Sequence, residues 1–166
     1  MDFETFVHAR SAALARTAYL LTGDVHAAED LLQETLARSA ERWSKIIRGG
    51  DPEPYVRRVL YTRAVDGFRR RRLVEVHTEH PELAGPGDEA DAHASRLVLR
   101  EALMRLTPRQ RAVLVVRFFE DRSEVETAAL LGCSVSTVKS QTRHALGRLR
   151  ELAPDLLADF SPVEAP

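Results

Sequence analysis

The stretch Ser123-Glu-Val-Glu-Thr-Ala-Ala-Leu-Leu-Gly-Cys-Ser-Val-Ser-Thr-Val-Lys-Ser-Gln-Thr-Arg-His-Ala-Leu-Gly-Arg-Leu-Arg150 decides how this chain is read. It predicts two short helices joined at a glycine, the second basic and rich in small polar side chains. That is the pattern of a helix-turn-helix that lays its second helix in a DNA major groove. Ser123 and Glu126 have the spacing of a capping box for the first helix, and Gly132 permits the tight corner after Leu131. Ser134 or Ser136 can cap the second helix. Val135, Val138, Thr142, Ala145, Leu146 and Leu149 recur at three- and four-residue spacing and predict one packed face. The other faces carry Ser136, Thr137, Lys139, Ser140, Gln141, Arg143, His144, Arg148 and Arg150, and no acid occurs from 134 to 150. Groups near the start of such a helix reach base edges, while basic groups further along meet phosphates.

Working outward, 166 residues of ordinary hydrophobic content hold one average domain or two small ones. No apolar run approaches the length of a bilayer span, and Met1 leads into an acidic, amphipathic segment rather than a secretory signal, so a cytoplasmic protein is expected. The single cysteine, Cys133, excludes an internal disulfide or a cysteine-based metal cluster within one chain. It reads as a small buried residue in the helix-turn-helix corner. The formal net charge of −1 hides a segregation. Residues 76–95 carry five acids and no Lys or Arg, whereas residues 96–150 carry eleven basic residues against five acids. A basic block between acidic segments suits a nucleic-acid binder whose other surfaces meet something different.

Toward the N-terminus, Phe3, Phe6, Val7, Leu14, Ala18 and Leu21 predict a helix over 3–21. Gly23 stops it, and Asp24 caps a second helix running to about Trp43. Ile46 to Gly50 breaks the pattern. Asp51-Pro52 supplies a cap and a first-turn proline for a third helix reaching Arg72. Residues 76–93, with two prolines, two glycines, acids and no periodicity, read as a linker that extends to about 60 Å at most. Helices resume at about 94–105, 108–119, 123–131 and 135–150, with Thr107-Pro108-Arg109-Gln110 forming a second capping box. The expected fold is all-α: two small helical domains, 1–75 and 94–153, on a flexible acidic linker, with a short tail over 154–166.

Three segments in this order resemble the extracytoplasmic-function (group IV) sigma factors of bacterial RNA polymerase, over about residues 5–152. They are Ala28-Glu-Asp-Leu-Leu-Gln-Glu-Thr-Leu36, Pro54-Tyr-Val-Arg-Arg-Val-Leu-Tyr-Thr-Arg-Ala-Val-Asp-Gly-Phe-Arg-Arg-Arg-Arg72, and the block from Leu106 to Arg150. Members of that family have two helical domains, regions 2 and 4, and the resemblance assigns 1–75 to the first and 94–153 to the second. It implies a subunit that binds core RNA polymerase and directs transcription initiation through the −35 and −10 promoter elements.

By the same resemblance, the helix bearing Glu29, Asp30, Gln33 and Glu34 docks on the largest polymerase subunit. From the residues alone these side chains are a solvated acidic face. Tyr61, Thr62, Arg63 and Asp66 fall where the family reads an extruded −10 base, and Arg69 and Arg70 where it grips promoter phosphates. Many relatives have Asn in place of Thr62, which leaves the preferred base open, and Tyr61 fits a core position equally well. Lys139, Ser140, Arg143 and His144, with Thr137 and Gln141 beside them, fall at the −35 contacts. The acidic linker suits either a soluble tether or an electrostatic mimic of RNA. His77, His80 and His93 have no diagnostic metal spacing, and neither metal nor cofactor is expected. Many family members are held inactive by an anti-sigma protein, which makes one a possible partner here.

Two other readings compete. A free-standing helix-turn-helix regulator accounts for 106–150 but leaves the Asp30 helix and 54–72 without a role. A recombinase-like enzyme needs a nucleophile or a metal-binding carboxylate set, and no Ser, Tyr or acid cluster in this chain has that arrangement, so no enzymatic activity is expected.

Overall fold

The computed structural model describes residues 1–71 and 90–154, apart from the side chains of 68–71 and 90–95. The described residues form eight α-helices and one π turn, and no strand occurs among them. The first half contains α1 (Phe3–Thr22), α2 (Val25–Ala40), α3 (Trp43–Arg48) and α4 (Glu53–Arg71). The second contains α5 (Ala90–Met104), α6 (Pro108–Leu114) running into a π turn (Val115–Phe119), α7 (Glu124–Leu131) and α8 (Val135–Leu152).

Local chemistry sets most of these boundaries. Asp2 caps α1 by accepting the Thr5 N–H at 2.7 Å. Gly23 ends the helix in the left-handed region, at φ 71°, and its N–H donates to the Tyr19 carbonyl. A Cβ on Gly23 would displace the flexible Met104 thioether, and the left-handed backbone is what favours glycine there. Asp24 opens α2 by accepting the Ala27 N–H at 2.8 Å. Asp51 accepts the Glu53 N–H at 3.0 Å as α4 begins.

Some boundaries differ from the sequence reading. The second helix stops at Ala40 rather than near Trp43, and a separate short helix, Trp43–Arg48, enters the stretch from Ile46 to Gly50 where the pattern predicted a break. Trp43 packs edge-on to Phe3 and tilted against Phe6, with ring centroids 5.1 and 5.2 Å apart. That burial anchors Trp43 at the start of the short helix instead of at the end of the second. Helix α5 begins at Ala90, four residues before its expected start. The rest of the expected linker, 76–89, and most of the tail, 155–166, lie outside the described residues.

The halves are packed on each other. Phe6, Leu14, Ala18, Leu21, Leu31, Val56, Leu60 and Tyr61 from the first form one cluster with Ala112, Val115 and Val116 from the second. Burying a valine fully contributes about 1.5–3 kcal/mol. A second cluster, of Ala102, Leu103, Leu106, Leu114, Ala145 and Leu149, seats α8 on α5 and α6. Val113, Ala128 and Val138 form a third, with half-buried Cys133 against it.

Arg111 lies at the junction, 1% exposed. Its guanidinium donates to the carbonyls of Leu103 at 2.8 Å, Met104 at 3.1 Å, Leu106 at 3.2 Å and, from the other half, Leu21 at 2.6 Å. These oxygens include the carboxyl ends of α1 and α5, where a cation is favourable. Burial pushes the guanidinium down to about 10, which keeps it protonated at neutral pH.

Candidate nucleic-acid and partner interfaces

Helices α7 and α8 form the expected helix-turn-helix. The Ser123 hydroxyl accepts the Glu126 N–H at 3.2 Å, and the Glu126 carboxylate accepts the Ser123 N–H at 2.9 Å. The Ser123 hydroxyl, donating at 2.7 Å, and then the Ser123 N–H hold the Glu126 carboxyl below its usual range. Gly132 turns the chain at φ 65°, and Ser134 then accepts the Thr137 N–H at 3.1 Å to start α8. Both corner residues therefore do what their types predict.

On α8, Val138, Ala145 and Leu149 are buried, and Val135, Thr142 and Leu146 are half-buried. With that face fixed, Ser136, Thr137, Lys139, Arg143, His144, Arg148 and Arg150 are exposed, and Ser140 and Gln141 are half-buried on its edge. All six residues expected at the −35 contacts thus lie on this one helix. Ser140 donates to the Thr137 carbonyl at 3.0 Å, and the Thr137 hydroxyl meets that of Ser134 at 2.8 Å. Lys139 Nζ lies 3.6 Å from Glu124, a surface pair worth about 0–1 kcal/mol that a phosphate can readily displace.

The Asp30 helix shows a second coherent face. Leu31, Thr35 and Ser39 are buried, and Glu29, Asp30, Gln33 and Glu34 are exposed. Glu34 pairs with Arg38 at 3.2 Å and with Arg63 of α4 at 3.4 Å. It thereby ties the expected polymerase face to an expected −10 residue, across a shallow depression of about 140 Å³.

The expected −10 residues are divided. Thr62 and Asp66 are exposed and Arg63 is half-buried, but Tyr61 is only 1% exposed. Arg69 and Arg70 belong to α4 by their backbone, and their side chains lie outside the described residues. The Tyr61 hydroxyl lies beside the Glu120 carboxylate yet makes no hydrogen bond of ordinary geometry among the described residues. Burial, followed by the negative charge of Glu120, pushes the Tyr61 phenol far above its usual range.

Sequence reasoning did not anticipate the charged cluster around this tyrosine. Glu53 meets Arg10 at 3.1 Å and Arg57 at 2.8 Å, and Arg57 is also paired with Glu120. Thr17 donates to Glu120 at 3.0 Å. Burial opposes the charged form of Arg57, but Glu120 and Glu53 together raise its pKa. Such charges look in sequence like any solvated surface, and only the pairing of positions 57 and 120 distinguishes them.

Among the described residues, no three His, Cys, Asp or Glu side chains converge where a metal ion could sit. His77, His80 and the side chain of His93 lie outside the described residues. No described helix is long and apolar enough to cross a membrane.

Two family profiles match the chain, Sigma-70 region 2 over residues 6–74 and Sigma-70, region 4 over residues 96–149. The RNA polymerase sigma-E factor of Streptomyces avermitilis is 42% identical over 151 residues, covering 91% of this chain and 84% of its own. The ECF RNA polymerase sigma factor SigL of Mycobacterium tuberculosis is 35% identical, covering 84% of this chain and 82% of its own. Among solved structures, the sigma factor RpoE in complex with the anti-sigma factor NepR from Bartonella quintana superposes with a TM-score of 0.69. That match has 26% identity and covers 93% of this chain and 98% of RpoE. CnrH, solved with the cytosolic domain of CnrY, has the same fold at a TM-score of 0.63 and 20% identity, over 92% of this chain and 87% of its own.

Proposed function

The chain belongs to the extracytoplasmic-function group of the sigma-70 family, whose members direct core RNA polymerase to promoters, and from that premise we propose how its surfaces divide the work. Residues 1–75 dock on polymerase and read the −10 element, residues 94–153 read the −35 element, and the acidic 76–93 joins them. The limits of the two matched profiles support that division.

One observation carries the DNA assignment. Helix α8 is seated by Val138, Ala145 and Leu149 and turns Lys139, Arg143 and His144 to solvent, and it carries no acid of its own before Glu151. Arg143 reads a guanine edge or a phosphate, Lys139 adds a second cationic contact, and Ser140 meets phosphate or sugar. Thr137, Gln141 and His144 border them. On α2, Asp30, Gln33 and Glu34, flanked by Glu29, offer a polar acidic face to a partner with complementary basic groups, which suits a reversible contact. Around α4, Tyr61, Thr62, Arg63 and Asp66 take the extruded −10 base, and Arg69 and Arg70 hold phosphates. An aromatic ring with a few polar neighbours is the chemistry that such a base requires.

The chain itself catalyses nothing and takes no cofactor, since polymerase supplies the chemistry, and it acts in the cytoplasm. The complex of RpoE with the anti-sigma factor NepR supports an anti-sigma partner here as well. Run-off transcription with purified core polymerase and a promoter pool tests the whole reading. Discrete start sites are expected, and Asp30→Lys should abolish them by reversing charge on the docking face. Sequence-specific binding of duplex DNA by a chain that does not bind core polymerase would instead establish a free-standing regulator.

A further inference from the structure

The charged cluster in the seam has no part in the assignments above. Arg10, Glu53, Arg57 and Glu120 form a balanced chain of two cations and two anions, three of them from the first half and only Glu120 from the second. The Glu120 side chain is 6% exposed, and its hydrogen bonds go to Thr17 and Arg57, both across the seam. A carboxylate leaves water only when it is paired and hydrogen-bonded. Glu120 is therefore a seam residue that contributes little to the fold of its own half.

We propose that Glu120 is a latch: seated on Thr17 and Arg57, its carboxylate holds the Ala90–Leu152 half shut over Tyr61 in the free protein, and promoter reading requires that seat to be vacated. This rests on the assignment of Tyr61 to the −10 surface. In the closed form Tyr61 shares its cluster with Val115 and Val116, so no base can stack on it. Reach leads to the same conclusion. Elements roughly 25 base pairs apart are about 85 Å apart along straight DNA. A compact chain of this length is about 40 Å across. The halves must separate to touch both.

The latch is also built to release. Glu120 Oε2 and the Tyr61 hydroxyl are buried without a hydrogen-bond partner among the described residues. Both gain water on opening, which offsets part of what the ion pair loses.

The test uses the full chain without polymerase or DNA. Spin labels on Glu41→Cys and Glu151→Cys, exposed sites in the two halves, report their separation in a Cys133→Ala background. Glu120→Gln keeps the shape of the side chain and removes its charge. Glu120→Arg sets a like charge against Arg57. Both should shift the distance distribution to longer values, with the open-to-closed ratio rising at least about tenfold for the arginine variant. A single-stranded oligonucleotide bearing the −10 sequence from the run-off assay should bind more tightly by the same factor. Circular dichroism that matches the parent protein confirms that each variant is folded. An unchanged distance in the folded Glu120→Gln and Glu120→Arg variants overturns the latch, whatever the transcription assay shows. A longer distance with unchanged oligonucleotide binding overturns Tyr61 as the covered −10 residue, and the proposal with it.

Discussion

On α8, Thr137, Lys139, Arg143 and His144 stand in solvent, whereas Tyr61 on α4 is packed with Val115 and Val116 beneath the Glu120 carboxylate. The first surface is complete as folded, and its cations can attract duplex phosphates from a distance without rearrangement. The second is an aromatic ring suited to an unpaired base, which exists only after a duplex has opened. On the proposed assignment, the molecule displays the surface that would find double-stranded DNA and withholds the one that would hold a single strand. An exposed tyrosine would stack on unpaired nucleic acid of any sequence, because every base has a π-face.

Removing one surface while sparing the other breaks this comparison most severely. Val138 is fully buried under α8, and Val138→Asp puts a charge there that has no partner. The second half should lose on the order of 3–5 kcal/mol, read by urea denaturation. Duplex −35 binding should then disappear, while single-strand binding at Tyr61 rises because its cover no longer folds. If both fall together, the two surfaces are not separable.

A smaller effect sharpens the division on the α8 side. Arg143→Ala should weaken binding to a −35 duplex by about 1–3 kcal/mol, seen by fluorescence anisotropy, with discrimination relaxed at one base pair. Single-strand binding should not change. A uniform loss over all duplex sequences would make Arg143 a phosphate contact.

The smallest effect concerns the buried ring. The phenol of Tyr61 is raised in the closed form by burial and by Glu120, against the weaker opposing pull of Arg57. Closure therefore benefits fully from the neutral phenol below the ordinary tyrosine value of about 10, and that benefit declines as pH rises beyond it. The spin-label distance should lengthen in that alkaline window, and Tyr61→Phe should reduce the lengthening. Equal lengthening in both proteins would assign it to other groups.

Local grammar was legible in the sequence wherever one residue type answers one backbone need. Asp24, Thr107 and Ser123 cap the helices they were expected to open, Ser134 is the one of two candidate serines that caps α8, and Gly23 and Gly132 take the left-handed turns. The apolar spacing on α8 likewise fixed which side chains would face solvent. What escaped were features set by distant partners. Trp43 looked like the end of a helix until Phe3 and Phe6 were in place around it. Arg57 and Glu120 are 63 positions apart, and nothing near either one marks it as buried. The π turn at Val115–Phe119 has no periodicity of its own to read. Tyr61 fitted both a core position and a DNA-reading one, and in the closed form it occupies the core.

The way Arg111 is shared bears on how the proposed opening would run. Of its hydrogen bonds to the described residues, those to Leu103, Met104 and Leu106 remain within its own half, and the one to Leu21 crosses the seam. On the proposed opening, that N–H and that carbonyl both exchange a protein partner for water, while the bonds to Leu103, Met104 and Leu106 keep the α5–α6 corner tied. Such an opening belongs with collective domain motions, which run on the microsecond-to-millisecond scale, rather than with unfolding. A protein held on duplex DNA by α8 for longer than that can offer its second surface many times before it lets go.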